Sequence, residues 1–419
     1  MPRLPPHLPV ILLAIAAPLL CATRAVAQGL PAAAGEDLEF SVLTFGPGDE
    51  IWEPFGHIGL RARDRRSGLD VVFNWGVFSF DQPGFLGRFL RGQMQYSLGL
   101  NTTGSTLRLY RSLDRTIDEQ QLALEPAEKA MLWQLLSDNV RSPEYRYDYY
   151  LDNCSTRVRD LLDAVTGGQI EETLGGRPGH SFRFHSRRLT QPVSPIFEGL
   201  DVLMAGRTDD PRNAWEDAWV PLELRDDLDV VQIERNGLTT PLVSERMRLF
   251  EAERAPPGQR PRFLVWKHAI AAWLAAALLF WAGRGNALPR RLLAAMLAVG
   301  WSALAGILGL VQSLLMLTDH VFGHWNENLA QLSPLSLLLA PLAGWALLRG
   351  RTHRWTQRLA TVLLCLSAAG TLLQILPWLD QTNGSIIAMA LPLHLALFLS
   401  LKDAEDPQQS SERENVSAR

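Results

Sequence analysis

The chain has 419 residues, 47% of them hydrophobic, and a formal net charge of −4 at pH 7. This charge averages a mixed first part and a strongly apolar second part, so it gives little information about partners. The sequence contains no long basic patch with interleaved aromatic residues, and we therefore expect no nucleic-acid partner.

The first 27 residues have the pattern of a secretory signal peptide. Arg3 precedes an apolar run from Leu8 to Ala22, and Ala25-Val26-Ala27 is the small-x-small pattern of a cleavage site before Gln28. An uncleaved membrane anchor is the alternative. Either reading predicts that the residues after this segment are exported.

Five apolar stretches follow Pro261, each close to the ~20 residues that cross a bilayer as a helix. They are Phe263–Gly283, Leu292–Thr318, Leu329–Leu348, Leu359–Leu376 and Ser385–Leu401. The first and the last are short or interrupted, so four spans are the alternative count.

The distribution of arginine predicts the orientation of these stretches. Three arginines lie between the first and second stretches and four between the third and fourth, whereas residues 319–328 and 377–384 contain neither Lys nor Arg. By the positive-inside rule the basic loops are cytoplasmic, which places the preceding part of the chain on the outer side. We therefore expect a signal peptide (1–27), a periplasmic domain (28–262), about five membrane helices (263–401) and a cytoplasmic polar tail (402–419).

The residue pattern of the exported part predicts a mixture of strands and helices. Strands are predicted at Leu38–Phe45, Phe55–Arg63, Leu69–Phe80, Tyr96–Leu100 and Thr106–Tyr110, and helices at Phe85–Met94 and Glu125–Val140. In the second strand Ile58, Leu60 and Ala62 alternate with His57, which predicts that His57 lies on the face opposite the apolar set.

Cys154 is the one cysteine that the exported part is expected to keep. Cys21 lies in the signal peptide and Cys365 in an apolar stretch, so Cys154 has no disulfide partner. Asp152 or Asn153 can cap a helix that begins at the cysteine. The positive end of that helix is expected to lower the pKa of the thiol, and its N–H groups could hold an oxyanion.

A nucleophilic thiol needs a base, and His57 between glycines is the first candidate. His180 and His185 compete for this role, although their Arg- and Ser-rich surroundings predict a solvated loop. The alternative for the cysteine is a small buried apolar side chain, and for the histidine a satisfied polar group.

Three motifs together resemble the Lnb family of bacterial lipoprotein N-acyltransferases. They are FGHIGLRARD, VVFNWGVFSF and YYLDNCSTRVRDLL, with TDHVFGHWNENLAQLSPL as a fourth, extracytoplasmic segment. The resemblance covers nearly all of the mature chain. It implies an α+β periplasmic domain with a permuted papain-like or NlpC-like core, similar to the lecithin–retinol acyltransferase group, followed by an all-α transmembrane bundle.

The resemblance also implies an activity in the inner membrane. A fatty acyl chain would move from a phospholipid, through a thioester on Cys154, to the N-terminal amine of a diacylated lipoprotein, with His57 as general base. No cofactor is implied. Asn74 is expected to orient the imidazole, with a locally satisfied amide as the alternative, and Asn153 or Tyr150 to supplement the oxyanion hole.

Polar residues of the outer loop at 318–335 are candidates for lipid or substrate contact. They are His320, His324, Asn326 and Asn328. His320 and His324 are four residues apart and would share a helix face, but the loop offers no clearly matched third ligand, so we expect no metal site.

Two other functions compete with acyl transfer. A peptidoglycan amidase or endopeptidase would use the same Cys/His pair with water as second nucleophile, but it would need little from several membrane spans. A non-enzymatic envelope scaffold or redox sensor would need an exposed thiol of low pKa.

Overall fold

The computed structural model describes residues 37–191, 194–262 and 265–402. The predicted signal peptide and the tail beyond Lys402 lie outside the described residues.

The chain divides into two compact units. The first contains Met1–Val193 and Pro211–Pro261, and the second contains Ser194–Asp210 and Arg262–Arg419. Ser194–Asp210 groups with the apolar part of the chain, and the periplasmic location of residues 28–262 stays a prediction.

The first unit is a mixed α/β domain built on an antiparallel sheet. Its strands in chain order are β1 (Leu38–Phe45), β2 (His57–Asp64), β3 (Asp70–Val77), β4 (Gln95–Thr102), β5 (Ile117–Leu122), β6 (Glu144–Arg146), β7 (Gln232–Arg235), β8 (Leu238–Pro241) and β9 (Val243–Phe250). In the described chain, seven of them form one sheet in the order β6-β4-β3-β2-β1-β5-β9, and β7 pairs with β8 in a separate hairpin.

The helices of the first unit follow the strands in the chain. They are α1 (Phe85–Arg91), α2 (Thr103–Ser112), α3 (Pro126–Arg141), α4 (Cys154–Val165), α5 (Gln169–Gly175) and α6 (Phe182–Thr190), and after α7 (Ser194–Leu203) of the second unit come α8 (Ala214–Asp217) and α9 (Pro221–Leu228). Proline at the start of α3 suits a first helical turn, where a backbone N–H has no partner.

The central strands bury side chains on both faces of the sheet. Phe40 and Ile58 pack with Val158 of α4 on one face, whereas Phe45 and Val72 form the core of the other. Because successive side chains of a strand point to opposite faces, His57 and Asn74 lie on the second face. This agrees with the alternation seen in the sequence.

The differences from the sequence prediction include one helix and one strand. The predicted strand at Thr106–Tyr110 is wrong: these residues belong to helix α2, whose first turn is capped because the Thr102 side chain accepts a hydrogen bond from Ser105 N. Strand β5 was not predicted because its sequence, IDEQQL, has no apolar alternation. It is nevertheless buried, since Asp118 pairs with Arg225 from elsewhere in the unit.

Among the described residues of the second unit, four helices are long and apolar enough to cross a membrane. They are α10 (Val265–Gly283), α11 (Leu288–Leu315), α13 (Arg354–Leu373) and α14 (Gly384–Lys402). Between them, α12 (Ser336–Arg349) has only 14 residues, about 21 Å of helix against a hydrocarbon core of ~30 Å. The predicted stretch at Leu329–Leu348 is thus helical mainly in its second half.

Candidate active site

Helix α4 begins at Cys154, and Asn153 is its cap. The Asn153 Oδ1 accepts hydrogen bonds from the backbone N–H groups of Ser155 at 2.8 Å and Thr156 at 3.0 Å. In return, Asn153 N donates to Thr156 Oγ1 at 2.8 Å. This reciprocal capping fixes the helix start, so the cysteine is held in the first turn, as predicted from the sequence.

The same contacts give Asn153 a role other than the predicted oxyanion donor. Its Nδ2 donates to the carbonyl oxygens of Tyr149 at 2.9 Å and Trp219 at 3.0 Å. Both amide hydrogens are engaged, so neither is available to a substrate oxygen in this arrangement.

Burial has the largest effect on the pKa of the Cys154 thiol. The residue is 8% exposed, and desolvation raises the pKa of its thiol to about 11. The backbone N–H groups of Ile58, Ser155 and Cys154 itself lower this pKa, as does the charge of Arg115, but together they do not offset burial. The predicted lowering of the thiol pKa is therefore wrong, although its proposed cause, N–H groups at a helix start, is present.

Asn74 holds His57 in one tautomer. The Asn74 Nδ2 donates to Val72 O at 3.3 Å, which turns Oδ1 towards His57 Nε2, also at 3.3 Å. Since Oδ1 can only accept, Nε2 must carry the proton, and Nδ1 keeps a free lone pair. The assignment makes Nδ1 the nitrogen that can act as a base.

The surroundings of His57 keep the imidazole neutral. The pKa of His57 is lowered to about 4: burial and the charge of Arg115 both lower it, and the hydrogen bond that Asn74 Oδ1 accepts partly offsets them. The ring is near parallel to those of Phe45 and Tyr110, with centroids 6.0 and 6.1 Å away. A neutral imidazole is the form that a general base requires at neutral pH.

The backbone brings Cys154 and His57 to the same end of β2. One of the backbone N–H groups that form a hydrogen bond with the cysteine sulfur belongs to Ile58, the residue directly after His57. The two side chains come from opposite faces of the sheet, and in the described part of the chain the hydrogen bond of the imidazole goes to Asn74. The resting pair is thus a neutral thiol and a neutral imidazole.

Two glycines give His57 this position. Gly56 has a φ of +81°, a conformation that favours glycine. At Gly59 a Cβ atom would lie 2.9 Å from Val72 Cγ1 and 3.0 Å from Asn74 Oδ1. A larger residue at 59 would therefore displace the amide that orients the imidazole.

Arg115 is a site residue that the sequence did not indicate. Its guanidinium is 3% exposed, donates from Nε to Gly46 O at 2.7 Å, and pairs through Nη1 with Glu53 at 2.8 Å. Among the described residues, its buried Nη2 has no hydrogen-bond partner. The charge acts on both Cys154 and His57, but it depends on long-range contacts that no local sequence pattern reveals.

The tyrosines before Cys154 divide into two groups. Tyr150, predicted to assist the oxyanion, instead places its hydroxyl 2.9 Å from Ser186 Oγ and stacks on Phe182. Tyr145 and Tyr147 are within electrostatic range of the cysteine, and burial raises the pKa of each hydroxyl.

The outer-loop candidates lie in the second unit. The loop contains two short 3₁₀ helices, Val321–Gly323 and Glu327–Ala330, so His320 and His324 do not share an α-helical face as predicted. Asn326 and Asn328 are buried, and each donates from Nδ2 to Val202 O, at 3.0 and 3.1 Å. These bonds attach the loop to the end of α7. A contact of the four residues with lipid or substrate stays a prediction.

One group of the described residues has the composition of a metal site: His180, His185 and Asp217. His185, predicted in a solvated loop, is instead buried in α6, with Nε2 2.5 Å from Asp217 Oδ1. Arg188 Nη2 lies 3.0 Å from His185 Nδ1. Because arginine only donates, Nδ1 must accept, and Nε2 faces the carboxylate without forming a hydrogen bond among the described residues.

The comparisons with known proteins concern the first part of the chain. Residues 30–188 match the family model described as the Lnb N-terminal periplasmic domain. No curated protein and no solved structure matches the chain. The matched segment contains Cys154, His57 and Asn74, and together with four helices able to cross a membrane it fits a membrane protein with a periplasmic domain. Residues 30–188 are therefore similar to the periplasmic domain of the Lnb family.

Proposed function

We propose that the chain is a thiol-dependent acyltransferase of the bacterial inner membrane, which moves a fatty acyl chain from a phospholipid to the N-terminal amine of a diacylated lipoprotein. One observation carries the proposal. Cys154 starts a helix beside the N–H of Ile58, and the adjacent His57 is held as a neutral base by Asn74. The family match and the apolar helices supply the context of a lipid substrate.

In the first step, His57 Nδ1 takes the proton of the thiol while the sulfur attacks the ester carbonyl of the donor lipid. The backbone N–H groups of Ile58 and Cys154 that act on the sulfur can also stabilise the charge that passes to the carbonyl oxygen. The ester C–O bond then breaks, His57 returns its proton to the departing alkoxide, and a thioester remains.

In the second step, the lipoprotein amine attacks the thioester carbonyl. His57 accepts a proton from the attacking nitrogen, the C–S bond breaks, and the thiolate is reprotonated. An amine attacks a thioester much faster than water does at a dry site, so the burial of Cys154 favours transfer over hydrolysis. Both steps use only groups of the chain and its two substrates, so the proposal requires no cofactor.

The raised pKa of Cys154 argues against the redox-sensor alternative. A sensor cysteine is an exposed thiolate, whereas this thiol is buried and has a pKa of about 11. A neutral thiol with a neutral base forms its nucleophile only when a substrate carbonyl is in place.

Mass spectrometry of lipoprotein N-terminal peptides tests the proposal. A deletion strain complemented with Cys154→Ala or His57→Ala should accumulate lipoproteins with a free α-amine, while the wild-type chain restores the N-acyl mass. The variant proteins should insert into the membrane in normal amounts. Full complementation by Cys154→Ala would exclude the thioester mechanism, and unchanged lipoproteins with altered muropeptides would favour the peptidoglycan amidase.

A further inference from the structure

The first unit carries a continuous cluster of aromatic rings on its surface. Phe80 lies 5.6 Å from Trp52 and 5.1 Å from Phe85, measured between ring centroids. Phe85 also contacts Phe78 at 6.1 Å and Phe89 at 6.2 Å. We call these five residues the aromatic surface.

The aromatic surface and the helix beside it are open to solvent. Phe80 is 57% exposed, and Leu86 and Leu90 of α1 are 67% and 59% exposed. Helix α1 buries none of its residues, and Leu86 and Leu90 are its most exposed apolar side chains. Single exposed apolar residues are ordinary, but a contiguous group of this kind marks an interaction surface.

The rings continue from this surface towards the candidate nucleophile. Phe78 stacks on Tyr96 at 4.8 Å, and Tyr96 stacks on Tyr147 at 4.3 Å. Tyr147 packs against the buried cluster that contains Cys154. An unbroken series of ring contacts thus leads from solvent to the neighbourhood of the sulfur.

Hydrocarbon chains of lipid are the occupant that these observations favour. The same chain carries four helices that are long and apolar enough to cross a membrane, and such helices would hold the chain at a bilayer. Aromatic side chains are enriched where proteins meet the bilayer interface. Arg88 and Arg91, in the last turn of α1, supply positive charge for lipid phosphate.

We propose that the aromatic surface, with Leu86 and Leu90, binds the acyl chains of a phospholipid, and that Tyr96 and Tyr147 line its path to Cys154. The inference rests on the proposed acyl transfer and specifies where the donor lipid enters. It assigns to α1 the function of a lipid-binding element.

Photo-crosslinking to lipid tests this assignment on the full-length protein. The chain is reconstituted in nanodiscs that contain a phosphatidylcholine with a diazirine in its acyl chain, illuminated, digested and mapped by mass spectrometry. All samples carry Cys154→Ala, so acyl transfer cannot contribute to the adducts. We expect adducts on residues 78–90, in addition to those on the apolar helices.

A double variant and a matched control complete the experiment. Leu86→Ser with Leu90→Ser should reduce the adducts on 78–90 roughly tenfold, because apolar contact with lipid is lost, and leave adducts on α11 unchanged. Leu238→Ser, at a 70% exposed position of β8, should change neither. Equal labelling of the double variant, or adducts confined to the apolar helices, would overturn the proposal.

The remaining outcomes separate this inference from the proposed function. A crosslink from 78–90 to a second copy of the chain would assign the surface to self-association and refute lipid binding. If Cys154→Ala complements lipoprotein acylation while the lipid adducts persist, the proposed function fails and the lipid site stands.

Discussion

Replacement of Asn74 by aspartate tests the hydrogen bond that orients the candidate base. The substitution preserves shape and puts a carboxylate oxygen 3.3 Å from His57 Nε2, where the amide oxygen now lies. A negative charge at this position favours the imidazolium form, so the pKa of His57 should rise from its present value of about 4. Since protonated His57 cannot accept the thiol proton, activity should be lost at a higher pH than in the wild type.

The size of this change follows from the distance. Two unit charges at that separation interact by about 5 kcal/mol at an effective dielectric constant of ~20, which corresponds to roughly 3.7 pKa units. Asn74 is 7% exposed, and burying the new charge offsets part of the attraction, which leaves about 2 units. The acid limb of the activity profile should therefore move from about pH 4 to about pH 6.

The assay is kcat/KM for transfer to a synthetic diacylated lipopeptide, measured from pH 4 to 9 with the full-length protein in nanodiscs. Asn74→Ala serves as the control, because it removes the acceptor without adding charge. It should lower the rate by roughly 10- to 100-fold and leave the acid limb at pH 4 or below. If Asn74→Asp leaves the acid limb in place, Asn74 does not bond to His57 in the active enzyme and the tautomer assignment is wrong.

Other residues of the site give further expectations. Alkylation of Cys154 by iodoacetamide should accelerate about tenfold per pH unit without a plateau below about pH 10, because only the thiolate reacts and the thiol pKa is about 11. Arg115→Gln should slow this reaction several-fold at pH 8, since loss of the positive charge raises the thiol pKa further. Gly59→Ala should displace Asn74 and reduce transfer at least tenfold. Asn153→Ala should destabilise the first unit by roughly 2–3 kcal/mol, visible as a lower Tm, through loss of the helix cap and of two carbonyl partners.

Two of these expectations have a control variant, and the prediction for Cys154 alkylation has an outcome that would refute it. Gly175→Ala, where an added Cβ meets nothing within 4 Å, should leave transfer unchanged. Asn153→Asp keeps the accepting oxygen and should lose less stability than Asn153→Ala. A plateau in Cys154 alkylation near neutral pH would show that the thiolate is already formed, contrary to a pKa raised by burial.

The sequence by itself determined the local features that depend on short-range patterns. Strand β1 at Leu38–Phe45 has the predicted bounds, and His57 lies on the predicted face of β2, because side-chain alternation follows from backbone geometry alone. The start of α4 at Cys154 could likewise be predicted, since the Asn153 side chain caps the helix by accepting hydrogen bonds from N–H groups only two and three residues away. The lengths of the apolar stretches predicted the four described helices that can cross a membrane.

The tertiary structure alone decided the features that depend on distant parts of the chain. Strand β5 is buried despite its charge because Asp118 meets Arg225, 107 residues later. The fold brings the charge of Arg115 close enough to lower the pKa of both Cys154 and His57. Ser194–Asp210 joins the second unit through contacts such as that of Asn326 with Val202. The thiol pKa shows the physical reason: the helix start that lowers it is local, but the desolvation that outweighs this effect comes from the packed domain.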